Sequence, residues 1–447
     1  MQSGSNKYAS MWRSKRLLVM CLLFSASLIN YIDRVSMSVA APSVSKEFGW
    51  DPATMGLVLS GFMWTYALAL VPMGYLTDKW GAKKLNIFAI SFWSLAAMAT
   101  GSAINLFTMM ASRLALGAGE AATMPSNSKV VRQWFTIHEL CLATALARSG
   151  AEAGPAIGMP IIAWLLAEYG WRMSFIITGA IGFVWLFFWL RYFRNDPQQC
   201  AWVSEEERQY IRDNTDPPRA AEKPVDLGLI RRLLKTRTMW GLLLSQGCIM
   251  YTQYLILTWL PTYLMNVRGM ALMKASLFSS FAFVTAWVLG IAVGAISDKL
   301  LTPEKVRQGQ RRKLVVFFMC LASIFVFTSF VEGAVAIFVI ITLVKTFLSS
   351  TIGLNMTLTN DLVANPKNAG TAFGLLLLGG NLFGAFAPVV TGYLVKASGN
   401  YESAFLLAGL LIILGAVISF FMARKPIVVD EDDQAELDGK RPAAAFR

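Results

Sequence analysis

The sequence predicts an all-α membrane protein, with twelve transmembrane helices in two pseudo-symmetric six-helix bundles and both termini in the cytoplasm. Three observations lead there. Of 447 residues, 55% are hydrophobic and 15% charged, with a mean hydropathy of +0.52, whereas a soluble chain carries about a quarter charged residues. Apolar runs of about 20 residues, enough to cross ~30 Å of hydrocarbon as a helix, recur along the whole chain. Lys and Arg gather in alternate loops.

Spans are read at 17–41, 55–76, 85–104, 106–128, 140–166, 172–193, 240–264, 275–297, 313–331, 333–359, 369–394 and 402–423. An even number places both termini on one side. With Arg172, Arg191 and Lys313 at span edges counted in the adjoining loops, 31 of the 40 Lys and Arg fall on that side, five on the other, and four (Arg34, Arg113, Arg148, Lys345) well inside spans. Basic loops stay in the cytoplasm, so both termini are placed there. The long polar segment after span six, with "SEEERQY" and "DPPRAAEKP", reads as a linker. The chain therefore divides into an N-terminal bundle (1–195), a cytoplasmic linker (196–238), a C-terminal bundle (239–423) and a cytoplasmic tail (424–447). The acidic run Asp430 to Asp433 marks that tail as disordered.

The same residues exclude several function classes. The net charge of +13 is topological, so nucleic acid is not an expected partner. Cys21, Cys141, Cys200, Cys248 and Cys320 are scattered without a C-x-x-C pair and read as small core residues. The apolar run after Lys7, Arg13, Lys15 and Arg16 is too long for a signal peptide. With no metal-spaced His/Cys cluster, nucleophile motif or phosphate loop, neither an enzyme nor a metal is expected.

The two halves share a mark. "GYLTDKWGAKK" (Gly74 to Lys84) follows span two and "GAISDKL" (Gly294 to Leu300) follows span eight; Gly74 and Asp78 recur as Gly294 and Asp298. Repeats around a central site are how alternating-access carriers are built. The first copy resembles the loop-two motif of the major facilitator superfamily, and the layout is similar to that fold along almost the whole chain. Gly74, Asp78, Lys79, Gly81, Lys83 and Asp298 are accordingly candidate gating residues. "SRLALGAGEAATMPSNSKVVRQWF", "GWRMSFIITGAIGFVW", "TWLPTYL" and "NYIDR" together resemble the anion:cation symporter family. That family includes bacterial galactonate, glucarate, hexuronate, phthalate and tartrate carriers, with sialin among its relatives. The resemblance implies proton-coupled uptake of a small organic anion (sugar acid, aromatic acid or dicarboxylate) by alternating access. It further implies a monomer in a bacterial inner membrane, driven by the proton gradient without a cofactor.

Charges inside the spans carry the finer reading. Asp33, Arg34, Arg113, Glu120, Arg148, Glu152 and Lys345 would each cost on the order of 2.5–3.5 kcal/mol at a bilayer centre, so each needs a partner or a task. The one histidine, His138, sits in a loop, which leaves carboxylates as proton carriers. At ~1.5 Å per residue, Asp33 lies ~24 Å into span one, while Arg113 and Glu120 lie ~10 and ~21 Å from the outer end of span four. Asp33 and Arg113 then share a depth, and the seven-residue spacing puts Arg113 and Glu120 on one face. Burial favours a protonated carboxyl and a nearby guanidinium the ionised one, so an arginine changing partner moves protons. Arg113 is expected to be that switch, leaving Arg34 free to grip an anion bidentately. The resemblance implies the same roles: Asp33 and Glu120 as proton sites, the arginines in substrate binding or coupling. A static network that only neutralises its members is the alternative.

Tyr31, Tyr66, Gln246, Asn355, Thr357 and Asn381 are candidate cavity residues, each equally open to a helix-packing role. The resemblance places Tyr31, Tyr66 and Gln246 at substrate positions. Lys345 is either a third cationic contact or a snorkelling or locally paired side chain. Arg148 and Glu152, ~12 and ~18 Å into span five, flank Ala151. They form either a self-neutralising pair or an anion contact with its compensating charge. Sugar-acid members carry glutamine where this chain has Ala151 and asparagine where it has Leu377, which suggests a less hydroxylated anion. "WFTIHEL" replaces the proline and arginine of the family's "WFPxxER" loop with Thr136 and Leu140. A rival reading, an exporter or exchanger of organic anions or drugs, rests on "GAEAGPAIG" (Gly150 to Gly158). That stretch resembles a drug/proton antiporter motif; small-residue packing explains it equally.

Overall fold

The computed structural model describes residues 11–215, 227–300, 310–331 and 333–429. They fold as helices: α1 (Arg16–Phe48), α2 (Pro52–Gly101), α3 (Leu106–Glu120), α4 (Thr123–Trp134), α5 (Leu140–Tyr192), α6 (Glu205–Asn214), α7 (Leu227–Lys235), α8 (Arg237–Asn266), α9 (Leu272–Leu300), α10 (Arg311–Ala322), α11 (Ala334–Leu362), α12 (Pro366–Ser398) and α13 (Glu402–Met422). The one β-type pairing among the described residues is an isolated bridge between Val363 and Ile427. The acidic run of the tail, the linker stretch 216–226 and the Asp298 side chain lie outside the described residues.

Among the described residues, eight stretches are long and apolar enough to cross a membrane: α1, α2, α5, most of α9, Arg311–Phe330, α11, most of α12, and α13. At 50 and 53 residues, α2 and α5 would extend ~75–80 Å if straight, over twice the ~30 Å of a bilayer core. Each turns at a glycine in the left-handed region, Gly81 (φ 77°) and Gly170 (φ 76°), a conformation a Cβ would strain. Expected spans two and three, and five and six, are therefore joined end to end through one residue.

Span four departs from expectation. The stretch expected at 106–128 as one helix is two, α3 and α4, broken at Ala121 and Ala122. The cause is local: Pro125 has no N–H for the Ala121 carbonyl and fits only the first turn of a helix. Glu120 is thereby the last residue of α3. Expected span nine changes character midway, from α10 to a 3-10 helix over Ser323–Phe330.

The chain forms two compact units, residues 1–49 with 61–222 and residues 50–60 with 223–447. In the first, α5 lies against α1 at backbone distance. A Cβ on Gly150 would stand 2.5 Å from the Phe24 carbonyl oxygen, one on Gly154 2.4 Å from the Tyr31 Cβ, and one on Gly158 2.9 Å from the Ile32 side chain. Helix α3 meets α2 as closely, with Gly117 against the Phe62 carbonyl. In the second unit, Gly380 and Gly384 of α12 seat Gln246 and Tyr254 of α8.

The first turns of α2 belong to that second unit. A Cβ on Gly392 would stand 2.3 Å from the Pro52 carbonyl oxygen, and one on Gly56 2.4 Å from that of Pro388. Lys396 Nζ lies 2.6 Å from the Asp51 carboxylate. The lysine, followed by the Thr54 N–H, holds the Asp51 carboxyl down at about 2.

Candidate functional site

The glycine seam fixes the face that α1 turns toward α3 and α5, and that face carries the charges. Arg34 Nε donates to Glu120 Oε2 at 3.0 Å, both side chains being buried. Three rings enclose the guanidinium: Tyr31 and Tyr66 with centroids at 4.3 Å and Phe62 at 4.8 Å. Phe62 and Tyr66, one turn apart on α2, stack on each other at 5.5 Å. Such a box favours a planar cation through the ring quadrupoles.

Asp33 and Arg113 stand beside this pair, each 2% exposed. Arg113 lies within electrostatic reach of Asp33 and Glu120 and 5.9 Å from the Phe62 ring centroid. The Thr178 hydroxyl comes near Asp33, but its proton goes to the Phe175 carbonyl at 3.2 Å. Both Asp33 oxygens, Glu120 Oε1, and Nε and Nη1 of Arg113 lack hydrogen-bond partners among the described residues. Native interiors rarely leave so many polar atoms unmatched in one place.

The pairing differs from that expected of the sequence. Arg34, expected to be free for an anion, holds Glu120, and Arg113, expected to bridge the carboxylates, makes no hydrogen bond through Nε or Nη1. Helix depth alone ranks Cα positions. It neglects that a guanidinium on a long stem reaches past its own turn to a carboxylate at a helix end.

Arg148, Ala151 and Glu152 share one half-buried face of α5, and Tyr31 lies within electrostatic reach of Arg148, Glu152 and Arg34. In the second unit, Asn355 Nδ2 donates to Gln246 Oε1 at 2.8 Å, while Asn355 Oδ1 is buried without a partner among the described residues. Tyr254 donates its hydroxyl to Asn381 Oδ1 at 2.6 Å, and Asn381 Nδ2 donates to the Leu377 carbonyl at 2.8 Å. Thr357 donates to its own helix, to the Gly353 carbonyl at 3.0 Å. Lys345 is fully buried, 4.6 Å from the Phe283 ring centroid, so it does not snorkel to a surface.

The gating motif forms a connected turn. Lys129 of α4 bonds the Asp78 carboxylate at 3.1 Å and the Thr77 carbonyl at 2.9 Å. Gly81 admits Asn195, whose Oδ1 accepts from the Lys83 N–H at 2.9 Å. Gly74 has open space where a Cβ would stand, and Lys79 is exposed. In the second unit, Arg311 binds Asp361 at 2.8 Å and Ser297 Oγ at 3.0 Å.

Sequence reasoning missed several residues. Phe62 was legible as the i−4 neighbour of Tyr66, and Tyr254 as two turns beyond Gln246; neither is charged at neutral pH, so charge-based selection passed over both. The third omission is a cluster where α6 meets α1. Arg16 is fully buried and pairs with Glu139, and its Nε lies 3.8 Å from Glu207. The N–H groups of Lys15 and Arg16 donate to Glu207 at 3.3 Å each. Thr136 donates through N–H at 3.3 Å and hydroxyl at 3.0 Å to Glu139; a proline there would lack the first donor.

Comparison with known proteins follows this geometry. Residues 23–365 and 307–446 match the family model described as Major Facilitator Superfamily. The chain is 32% identical over 421 residues, 93% of its length and 95% of the relative's, to the probable sulfoacetate transporter SauU of Cupriavidus necator. It is 31% identical over 425 residues, 91% of its length and 93% of the relative's, to the probable galactarate/D-glucarate transporter GudP of Escherichia coli. Among solved structures, an inward-facing, occupied bacterial homolog of the human lysosomal transporter Spinster superposes with a TM-score of 0.74 at 16% identity, covering 99% of this chain and 100% of that one.

Proposed function

This chain belongs to the Major Facilitator Superfamily, and from that premise we propose that it is a proton-coupled symporter that takes up a small organic anion. Two relatives matched over 93% and 95% of their length are named as probable transporters of galactarate/D-glucarate and of sulfoacetate, which are organic anions. The observation that carries the finer reading is the Arg34–Glu120 pair at 3.0 Å, beside the Asp33 carboxylate and the Nε and Nη1 of Arg113, buried without hydrogen-bond partners among the described residues. An anion entering from outside competes with Glu120 for Arg34. Protonation of Glu120 releases the guanidinium to the anion, so proton and anion load together. Asp33 is the second proton site, with Arg113 as its counter-charge. Once anion and proton leave, Arg34 recaptures Glu120 and the empty carrier resets. Tyr31, Phe62 and Tyr66 hold the guanidinium in place throughout. A bacterial inner membrane, with both termini inside, supplies the proton gradient that this scheme uses.

The close packing of Gly150, Gly154 and Gly158 on α1 supports the small-residue packing explanation of the stretch that resembles an antiporter motif; export or exchange is the alternative reading, which the same assay separates. The test is transport in proteoliposomes with an imposed pH gradient. Wild type should accumulate an organic anion above equilibrium when the outside is acidic. Asp33→Asn and Glu120→Gln should each lose that accumulation, and at least one should keep counterflow exchange. Gradient-driven accumulation by both variants at the wild-type level would refute the scheme.

A further inference from the structure

One charged group of the first unit is left over from this scheme, on α5 beside Tyr31. Arg148, Ala151 and Glu152 are half-buried while Ala147, Gly150, Ala153 and Gly154 on their flanks are buried. The buried flank is the seam against α1, so the charged face is the edge of that seam. A partly open Arg and Glu around mid-span calls for an aqueous cavity rather than lipid. The seam also sets their neighbour: Gly154 stands against the Tyr31 Cβ, and the Tyr31 ring is one of the three around Arg34, at 4.3 Å. Tyr31 therefore has Arg34 on its face and Arg148 with Glu152 within electrostatic reach.

Two guanidiniums around one tyrosine, each with a carboxylate of its own nearby, form a repeated arrangement. Glu120 is bonded to Arg34, and Glu152 sits one helical turn from Arg148. Arginine is the side chain best suited to grip carboxylate or sulfonate oxygens in pairs. We propose that Arg148 is a second anion contact, making the substrate a dianion with an acidic group at each end, one held by Arg34 and the other by Arg148. Glu152 balances Arg148 when the second acidic group is absent. The inference rests on the organic-anion reading above and narrows it to one charge class.

The test is isothermal titration calorimetry on the purified full-length chain with two matched pairs: D-glucarate against D-gluconate, and sulfoacetate against methanesulfonate. Each pair differs by one acidic group. Wild type should prefer the dianion at least tenfold in one pair or both. Arg148→Gln should cut that preference below threefold, with the larger loss falling on dianion affinity. Arg148→Lys should keep part of it, and Glu152→Gln should raise dianion affinity. A purely structural pair would lower melting temperature in both single variants and leave the ratio unmoved; a ratio that survives Arg148→Gln overturns the proposal. So does a wild type that binds both members of each pair equally. If wild type binds none of the four, the organic-anion reading itself fails, and this one with it.

Discussion

Replacing Glu120 by glutamine separates what the Arg34–Glu120 pair does for the empty carrier from what it does for binding. In wild type an arriving anion must displace a carboxylate held at 3.0 Å by a buried guanidinium. A hydrogen bond to a charged group contributes about 1.5–3 kcal/mol net, and each 1.4 kcal/mol is tenfold in affinity. Glutamine offers only a neutral oxygen, so D-gluconate and D-glucarate should bind Glu120→Gln about 10- to 100-fold more tightly at neutral pH. Stability should move the opposite way. Stripping one partner from a buried pair costs about 3–5 kcal/mol, because the other charge is left uncompensated. The three rings around Arg34 are common to both forms, so they keep the guanidinium in place without changing that difference. The ligand-free variant should therefore melt below wild type and recover more on adding anion. Calorimetric titration and thermal unfolding in the same detergent read both effects. Unchanged affinity together with an unchanged melting temperature would show that Glu120 does not compete for Arg34.

Three further outcomes follow from contacts elsewhere. Arg16→Met strands Glu139 and Glu207 around a buried position and should destabilise the chain by about 3–5 kcal/mol. Its melting temperature should recover when Glu139→Gln and Glu207→Gln are added; failure to recover would show the loss is packing alone. Gly154→Ala places a methyl 2.4 Å from the Tyr31 Cβ and 3.0 Å from the Leu28 carbonyl oxygen, an overpacking of about 1–3 kcal/mol. It should lower stability and weaken anion binding together, because α1 must shift with Tyr31. Asp51→Asn tests the ion pair to Lys396. The Asp51 carboxyl sits at about 2, below its ordinary value, so any stabilisation is complete above pH 4 and lost only as pH falls through 2. The melting difference between wild type and Asp51→Asn should stay flat from pH 5 to 8, and a slope there would assign the contact to another group.

Much of the fold was legible because membrane helices are written in one variable, apolar length, and glycine punctuates them where the chain reverses. Gly81 and Gly170 sit where the hydropathy pattern placed its loops. What misled was proline chemistry inside a membrane-length run: Pro125 breaks expected span four, while Glu120 and Thr123 in "GEAATMP" are too few to mark a loop. The charged members of the candidate site were legible for an energetic reason, since a buried charge is conspicuous in any apolar segment. Their partners were not. Whether Arg34 or Arg113 meets Glu120 depends on side-chain reach and on helix approach, which Gly150, Gly154 and Gly117 set through contacts distant in sequence. The Arg16 cluster was hidden because it joins α1 to a carboxylate 191 residues away, and no periodicity reports such a pairing.

The break after Glu120 has a further effect on the charge that Arg34 meets. A helix carries about −0.5 of an elementary charge at its C-terminal end and about +0.5 at its start. Ala121 and Ala122 keep right-handed helical dihedrals, with φ −60° and −72°, and α4 begins at Thr123. The negative end of α3 therefore abuts the positive start of α4, and the two fixed charges largely cancel. What stands in that turn is the Glu120 carboxylate, which a proton can neutralise as it cannot a helix end. On the proposed scheme, a protonated Glu120 leaves no fixed negative end in that turn to compete with the anion for the guanidinium.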